Sequence, residues 1–137
     1  MSSKQKSNVF HASGKRKRAI ARATITPGNG AVSINHVSLN QYSNEIARAR
    51  IREPLVLAGD DAAKFDIVVR VVGGGLTSQA DAIRLAIGRA LVQYNPTLKE
   101  TLLDYDRQLL VADIRRKESA KPNHHGQARA AVQKSYR

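Results

Sequence analysis

The chain predicts an α+β fold, a small antiparallel or mixed sheet covered by helices, on three observations. Phe65–Val72 is a strand pattern: Phe65, Ile67, Val69 and Val71 share one face, while Asp66 and Arg70 lie on the other. After Gly73-Gly74-Gly75, the residues Ile83, Ile87, Ala90, Leu91 and Tyr94 recur at helical spacing and give a helix with a buried face. Along the whole chain the elements read β-β-α-β-α-α-β, an order that builds a sheet layered with helices.

Each element has its own local signal. Ala19–Thr26 is rich in small and β-branched residues, Pro27-Gly28-Asn29-Gly30 is a strong turn, and Val32 and Ile34 follow on one face. These stretches predict a β-hairpin. Ser43 is placed to cap a helix running to about Glu53, where Pro54 breaks it or opens a short second helix through Leu57. Gly59-Asp60-Asp61 is a loop before the Phe65–Val72 strand. Ser78, with Asp81 three residues on, has the spacing of a capping box. Asn95-Pro96 stops that helix, residues 97–105 form a short helix carrying Leu98, Leu102 and Leu103, and residues 109–114 form a last strand.

Charge divides the 137 residues into three parts. Of a net charge of +12, residues 1–22 carry +7 with no acid, and residues 115–137 carry +6 with Glu118 as the one acid. The middle is close to neutral. This predicts a basic N-terminal arm over 1–18, a globular domain over 19–114 and an extended basic tail over 115–137. The tail has no Leu, Ile, Phe or Met, so it cannot bury enough surface to offset its ordering entropy and is expected to order only on a partner. A neutral body with cationic ends points to a polyanion, above all nucleic acid. An anionic membrane surface needs a large apolar face beside the basic one, which neither end supplies.

Other function classes fall away. There is no cysteine, hence no disulfide or thiolate metal site. No apolar run approaches the roughly 20 residues of a membrane span, and no secretory signal opens the chain. The expectation is a cytoplasmic protein without cofactor or metal. His124-His125 lacks further ligands at suitable spacing, with His11 and His36 isolated, and reads as a polar loop. Carboxylates are few and scattered and no nucleophile–base arrangement is visible, so an enzyme is not expected.

The candidate binding residues are cations. Lys15, Arg16, Lys17 and Arg18 repel one another unless an anion lies among them, and Arg22 follows on the strand. Arg115, Arg116, Lys117, Lys121 and Arg129 are their counterparts in the tail. Arg48, Arg50 and Arg52 spread around a helix, where surface ion pairs with Glu45 or Glu53 explain them as well as RNA does. Gly73-Gly74-Gly75 lacks the Gly-Lys-Ser/Thr of a nucleotide-binding loop. A turn needing positive φ is the preferred reading there, and a phosphate contact at the helix N-terminus the alternative. At the end of the chain, Tyr136 and Arg137 offer an aromatic ring and a guanidinium.

Four stretches, in order along the whole chain, carry a family resemblance. They are Ser13–Ala21, Gly73–Leu91, Leu109–Asp113 with Arg115-Arg116-Lys117-Glu118, and the terminal Gln133–Arg137. Together they resemble the ninth protein of the small ribosomal subunit, a family found in all ribosomes. The Tyr-Arg ending and Leu-Leu-Val-Ala-Asp are similar to its archaeal and eukaryotic branch, since the bacterial branch usually ends Ser-Lys-Arg.

The resemblance implies the α+β sandwich of the second domain of ribosomal protein five, with a left-handed β-α-β crossover. It implies binding to the 3′ major domain of 16S-type rRNA in the subunit head, beside neighbouring small-subunit ribosomal proteins. It also implies that Lys134, Ser135, Tyr136 and Arg137 approach the anticodon stem-loop of P-site tRNA. The alternative is another RNA binder, such as the protein subunit of ribonuclease P, although no Arg-rich helix motif of that family is found.

Overall fold

A computed structural model describes residues 8–124 and 128–129. Strands β1 (Phe10–Arg16), β2 (Ala19–Pro27), β3 (Val32–Ile34) and β4 (Val37–Ser38) precede helix α1 (Glu45–Ala58). Strand β5 (Phe65–Val72) and helices α2 (Leu76–Tyr94) and α3 (Leu98–Tyr105) follow, with short 3-10 turns at Leu39–Gln41, Gly59–Lys64 and Arg107–Leu109. One mixed sheet runs β1-β2-β5-β3-β4. Among the described strands β3 and β5 pair in parallel and the other pairs are antiparallel. The α+β class is as the sequence predicts.

The strand β5 behaves as its alternation requires. Phe65, Ile67, Val69 and Val71 are buried, and the partner β2 buries Ala19, Ala21, Ala23 and Ile25 on the same face. Against this face lies α2. Gly14 of β1 lets it approach, since a side chain there would collide with the Ala82 carbonyl and the Ala86 amide. Because α2 also packs on α1 and α3, it is buried nearly all round, from Ala80 to Leu91, more than the single buried face expected. Among the described residues no helix covers the opposite face of the sheet. This face carries His11, Ser13, Arg22, Val68, Arg70 and Val72, all exposed.

Six local expectations differ from the structure. β2 and β3 are not a hairpin, because β5 lies between them and pairs with both. The Pro27–Gly30 turn is real, but Asp66 of β5 holds it: its Oδ1 accepts the Asn29 and Ala31 amides at 3.0 and 3.1 Å. A turn signal dictates where the chain reverses and not what pairs after it. Residues 10–16, assigned to the basic N-terminal arm rather than to the globular domain, are strand β1, an edge strand held by β2 and by α2. Poor apolar content there hid a strand whose inner face needs glycine and alanine rather than bulk.

The cap of α1 is Asn44, whose side chain accepts the Ala47 amide at 2.8 Å, not Ser43. Pro54 neither breaks nor restarts this helix, which continues to Ala58. Likewise α2 starts at Leu76, one turn earlier than the Ser78 cap predicts, with Gly75 as its cap residue. Residues 109–114 do not form a strand. Arg89 stands where a ladder would be, donating to Ser13 O at 2.9 Å and to Leu110 O at 3.1 Å. Leu109 is fully buried nonetheless.

Candidate nucleic-acid interface

The two basic segments, far apart in sequence, meet in space. The β1–β2 turn presents Lys15, Lys17 and Arg18, and the start of the tail presents Arg115, Arg116 and Lys117. Between them sit Gly74, Gly75 and Ser78 at the start of α2. The open cleft so formed has a volume of about 800 Å³ and no carboxylate in its lining.

Asp113 makes the meeting possible. Its side chain, 7 % exposed, pairs with Arg16 of β1 and with Arg115, whose Nη2 donates at 2.8 Å. The Arg115 backbone amide donates to the same carboxylate at 2.8 Å. Asp81 on α2 lies near Arg16, at 3.9 Å, and accepts from Arg50 at 3.0 Å. Arg16, grouped with the binding cations by sequence, is thus turned inward as the anchor of the tail. No signal in the sequence marks Asp113 for this role, because its partner lies across the fold.

The glycine loop divides into two functions. Gly73 (φ +78) and Gly74 (φ +66) need the left-handed region. A side chain on Gly73 would also come within 2.5 Å of Arg18 O. These two are structural, as the preferred reading has it. Gly75 differs: a side chain there would meet no atom within 4 Å. Packing therefore does not require this glycine, which lines the cleft beside Ser78. Gln79 steadies the loop by donating to Gly73 O at 3.1 Å while Tyr42 donates its hydroxyl proton to Gln79 Oε1 at 3.1 Å. Burial pushes the Tyr42 phenol up, so it keeps that proton.

Lys17 occupies the tip of the turn at φ +52, a region that disfavours a lysine by about 1 kcal/mol. A glycine would fit better, and the charge is what a lysine adds.

The remaining predicted cations lie elsewhere. Lys121 and Arg129 gather round exposed Glu118, at 3.2 and 3.1 Å. The bonds from Lys121 and then Arg129 hold that carboxyl below its ordinary value. Arg22 is on the open sheet face. Lys134, Ser135, Tyr136 and Arg137 lie outside the described residues. The helix arginines are occupied locally: Arg50 by Asp81, Arg52 by Asn40 at 2.8 Å, and Arg48 by Ser43 O. Glu53 pairs instead with Arg84. His124 Nδ1 meets Ala128 O at 3.1 Å, and His125 lies outside the described residues. Among the described residues no three His, Cys, Asp or Glu side chains are grouped to hold a metal, and no helix is long and apolar enough to cross a membrane.

Comparison with known proteins adds a family. The one described as "Ribosomal protein S9/S16" matches residues 14–137. The small ribosomal subunit protein uS9 of Methanothrix thermoacetophila is 44 % identical over 131 residues, covering 94 % of this chain and 98 % of that protein. The protein of the same name from Methanococcus vannielii is 45 % identical over 132 residues, with the same coverage. Both relatives are archaeal.

Proposed function

Because the chain belongs to the ribosomal protein S9/S16 family, and so is a protein of the small ribosomal subunit and not an enzyme, we propose that its basic cleft binds rRNA of the subunit head and that its tail continues to the P-site tRNA. Its place is the ribosome, its partners rRNA and other ribosomal proteins, and its work translation. With the family established, the ribonuclease P alternative is set aside.

One observation supports the finer reading most: Lys15, Lys17, Arg18, Arg115, Arg116 and Lys117 converge on a cleft that no acid lines. Such a cluster is unfavourable alone and favourable around phosphate. Contacts of this kind are to backbone and shape, because duplex RNA hides its base edges in a deep, narrow groove. The body, from Phe10 through residue 114, sets where the tail starts. Residues 115–137, fully extended, span about 75 Å. Lys121 and Arg129 follow the rRNA along this path once phosphates replace Glu118 as their partner. At the end, Arg137 can hold a phosphate bidentately and Lys134 supplies a point charge. Ser135 can donate a hydrogen bond and Tyr136 can stack. P-site tRNA must be held whatever its sequence, and such contacts are blind to sequence.

The test is a salt titration of binding to a transcript of the 3′ major domain of small-subunit rRNA. Neutralising Lys17, Arg18, Arg116 and Lys117 to Gln removes up to four phosphate contacts. The slope of log affinity against log salt then drops by about 3 to 4. An unchanged slope would count against the cleft.

A further inference from the structure

We propose that the open face of the sheet is a second phosphate-binding surface, on which Arg22 of β2 and Arg70 of β5 together grip the backbone of an RNA duplex. The proposal rests on the reading of this chain as an rRNA binder and extends it to a face that the basic segments of the sequence do not mark.

Arg22 and Arg70 are directly opposed in the antiparallel register of β2 and β5, and both are exposed. Opposed residues on one face stand about 5 Å apart at Cβ, where like charges repel. Nothing within the described protein relieves this. Neither guanidinium has a carboxylate or a hydrogen-bond acceptor there. β1 and β2 contain no acid at all. The one acid on this face of β5 is Asp66, whose Oδ1 already accepts the Asn29 and Ala31 amides. Two central strands thus carry an opposed cation pair that packing does not need, in the arrangement that suits one phosphate between two guanidiniums.

The surroundings define the ligand. Ser13 of β1 stands opposite Arg22 and completes a row of three donors across the sheet. Thr24, one step along on this face, adds a hydroxyl that meets His11 Nδ1 at 3.1 Å. Among the described residues, β1, β2 and β5 place no Phe, Tyr or Trp on this face. Phe10, Phe65 and Tyr94 pack together on the helix side, with ring centroids 6.0 and 4.4 Å apart. The His11 ring on this face is engaged by Thr24, so splayed bases find little to stack on, whereas paired arginines on a flat sheet suit the phosphates of a duplex. Lys15 joins this face to the cleft, since it shares the Ser13 side of β1 and also lines the cleft. An RNA backbone seated in the cleft can therefore continue onto the sheet.

The experiment compares full-length wild type, the Arg22→Gln/Arg70→Gln pair and a Lys17→Gln/Arg18→Gln cleft control. All bind the 3′ major domain transcript across a salt series, with hydroxyl-radical protection of the RNA as second readout. The sheet pair is expected to lower the salt slope by about 2, and each single change by about half of that. It also loses a protected backbone patch that the cleft control retains, while its Tm stays level or rises because the repulsion is gone. Wild-type slope and footprint in the sheet pair, with the cleft control impaired, would overturn this inference and leave the cleft reading intact. If the wild type shows no salt-dependent binding, or if neither variant alters it, the rRNA reading falls and this one with it. A photoreactive residue at Val68 that cross-links to protein instead of rRNA in purified small subunits also overturns it.

Discussion

Asp113 pairs with Arg16, and this contact, between the strap entering the tail and the first strand of the sheet, brings the two basic segments to one side of the molecule. Both side chains are largely buried, at 7 % and 18 % exposure. Asp113→Asn is therefore expected to cost about 2 kcal/mol in chemical denaturation, because it leaves the Arg16 charge without its main partner. It should also weaken binding to the rRNA transcript, since residues 115–117 lose their fixed position. Stability and affinity both at wild-type levels would show that the tail starts in place without this pair.

A second ion pair makes stability depend on pH. Arg84 of α2 donates to Asp106 at 2.8 Å and forms an ion pair with Glu53 of α1 at 2.5 Å, tying α1, α2 and the turn after α3 together. Burial alone would lower the Arg84 pKa, but the bonds to the two carboxylates outweigh it and raise it. Burial would likewise raise Asp106, but the Gln108 amide and then Arg84 outweigh it and hold the carboxyl below its ordinary value. A depressed carboxyl contributes stability above its unfolded pKa, about 3.9. That contribution is lost as pH falls through the folded value. In acid titrations of unfolding, Asp106→Asn should be less stable at pH 7 by about 1 kcal/mol and lose less further stability below pH 4. Parallel curves for the two proteins would refute this.

Lys17 tests whether charge is kept at the expense of fold. With φ +52, Lys17→Gly is expected to stabilise the chain by about 0.5–1 kcal/mol, seen as a higher urea midpoint at unchanged m. The same change should weaken rRNA binding and lower the salt slope by about 0.9. A stabilised variant that binds as well as wild type would deny Lys17 a phosphate.

The adjacent glycines should separate cleanly. Gly73→Ala meets both a positive φ and the Arg18 carbonyl, and is expected to cost about 2 kcal/mol or more. Gly75→Ala meets open space and should change stability by no more than about 0.5 kcal/mol. If Gly75→Ala unfolds the protein as readily as Gly73→Ala, the loop is structural throughout.

Removing Lys134–Arg137 should leave assembly of the subunit intact and weaken retention of P-site tRNA or reading-frame maintenance. Filter binding of tRNA to programmed subunits and a frameshift reporter measure the two effects. Normal values in the truncated subunit would take the tail end out of decoding.

Some of this was legible without coordinates because its cause is local. The β5 strand, α2 and α3 follow from periodicity, since burial on one side of a strand or helix repeats at that element's own period. Charge segregation picked out Lys15, Lys17, Arg18 and Arg115–Lys117 as candidate binding cations, and these are the ones that line one cleft. The family resemblance was likewise written in contiguous motifs such as Gly73–Leu91.

Only the tertiary structure decided what depends on pairing between distant residues. It placed β5 between β2 and β3 and built Phe10–Arg16 into the sheet. It turned Arg16 inward onto Asp113, exempted Gly75 from a packing role, and set Arg70 opposite Arg22 on an uncovered face. Periodicity reports which side of an element is buried, but not against what. Strand order and ion-pair partners are settled by backbone hydrogen bonding and charge neutralisation across the fold, and neither leaves a mark at the positions taken one stretch at a time.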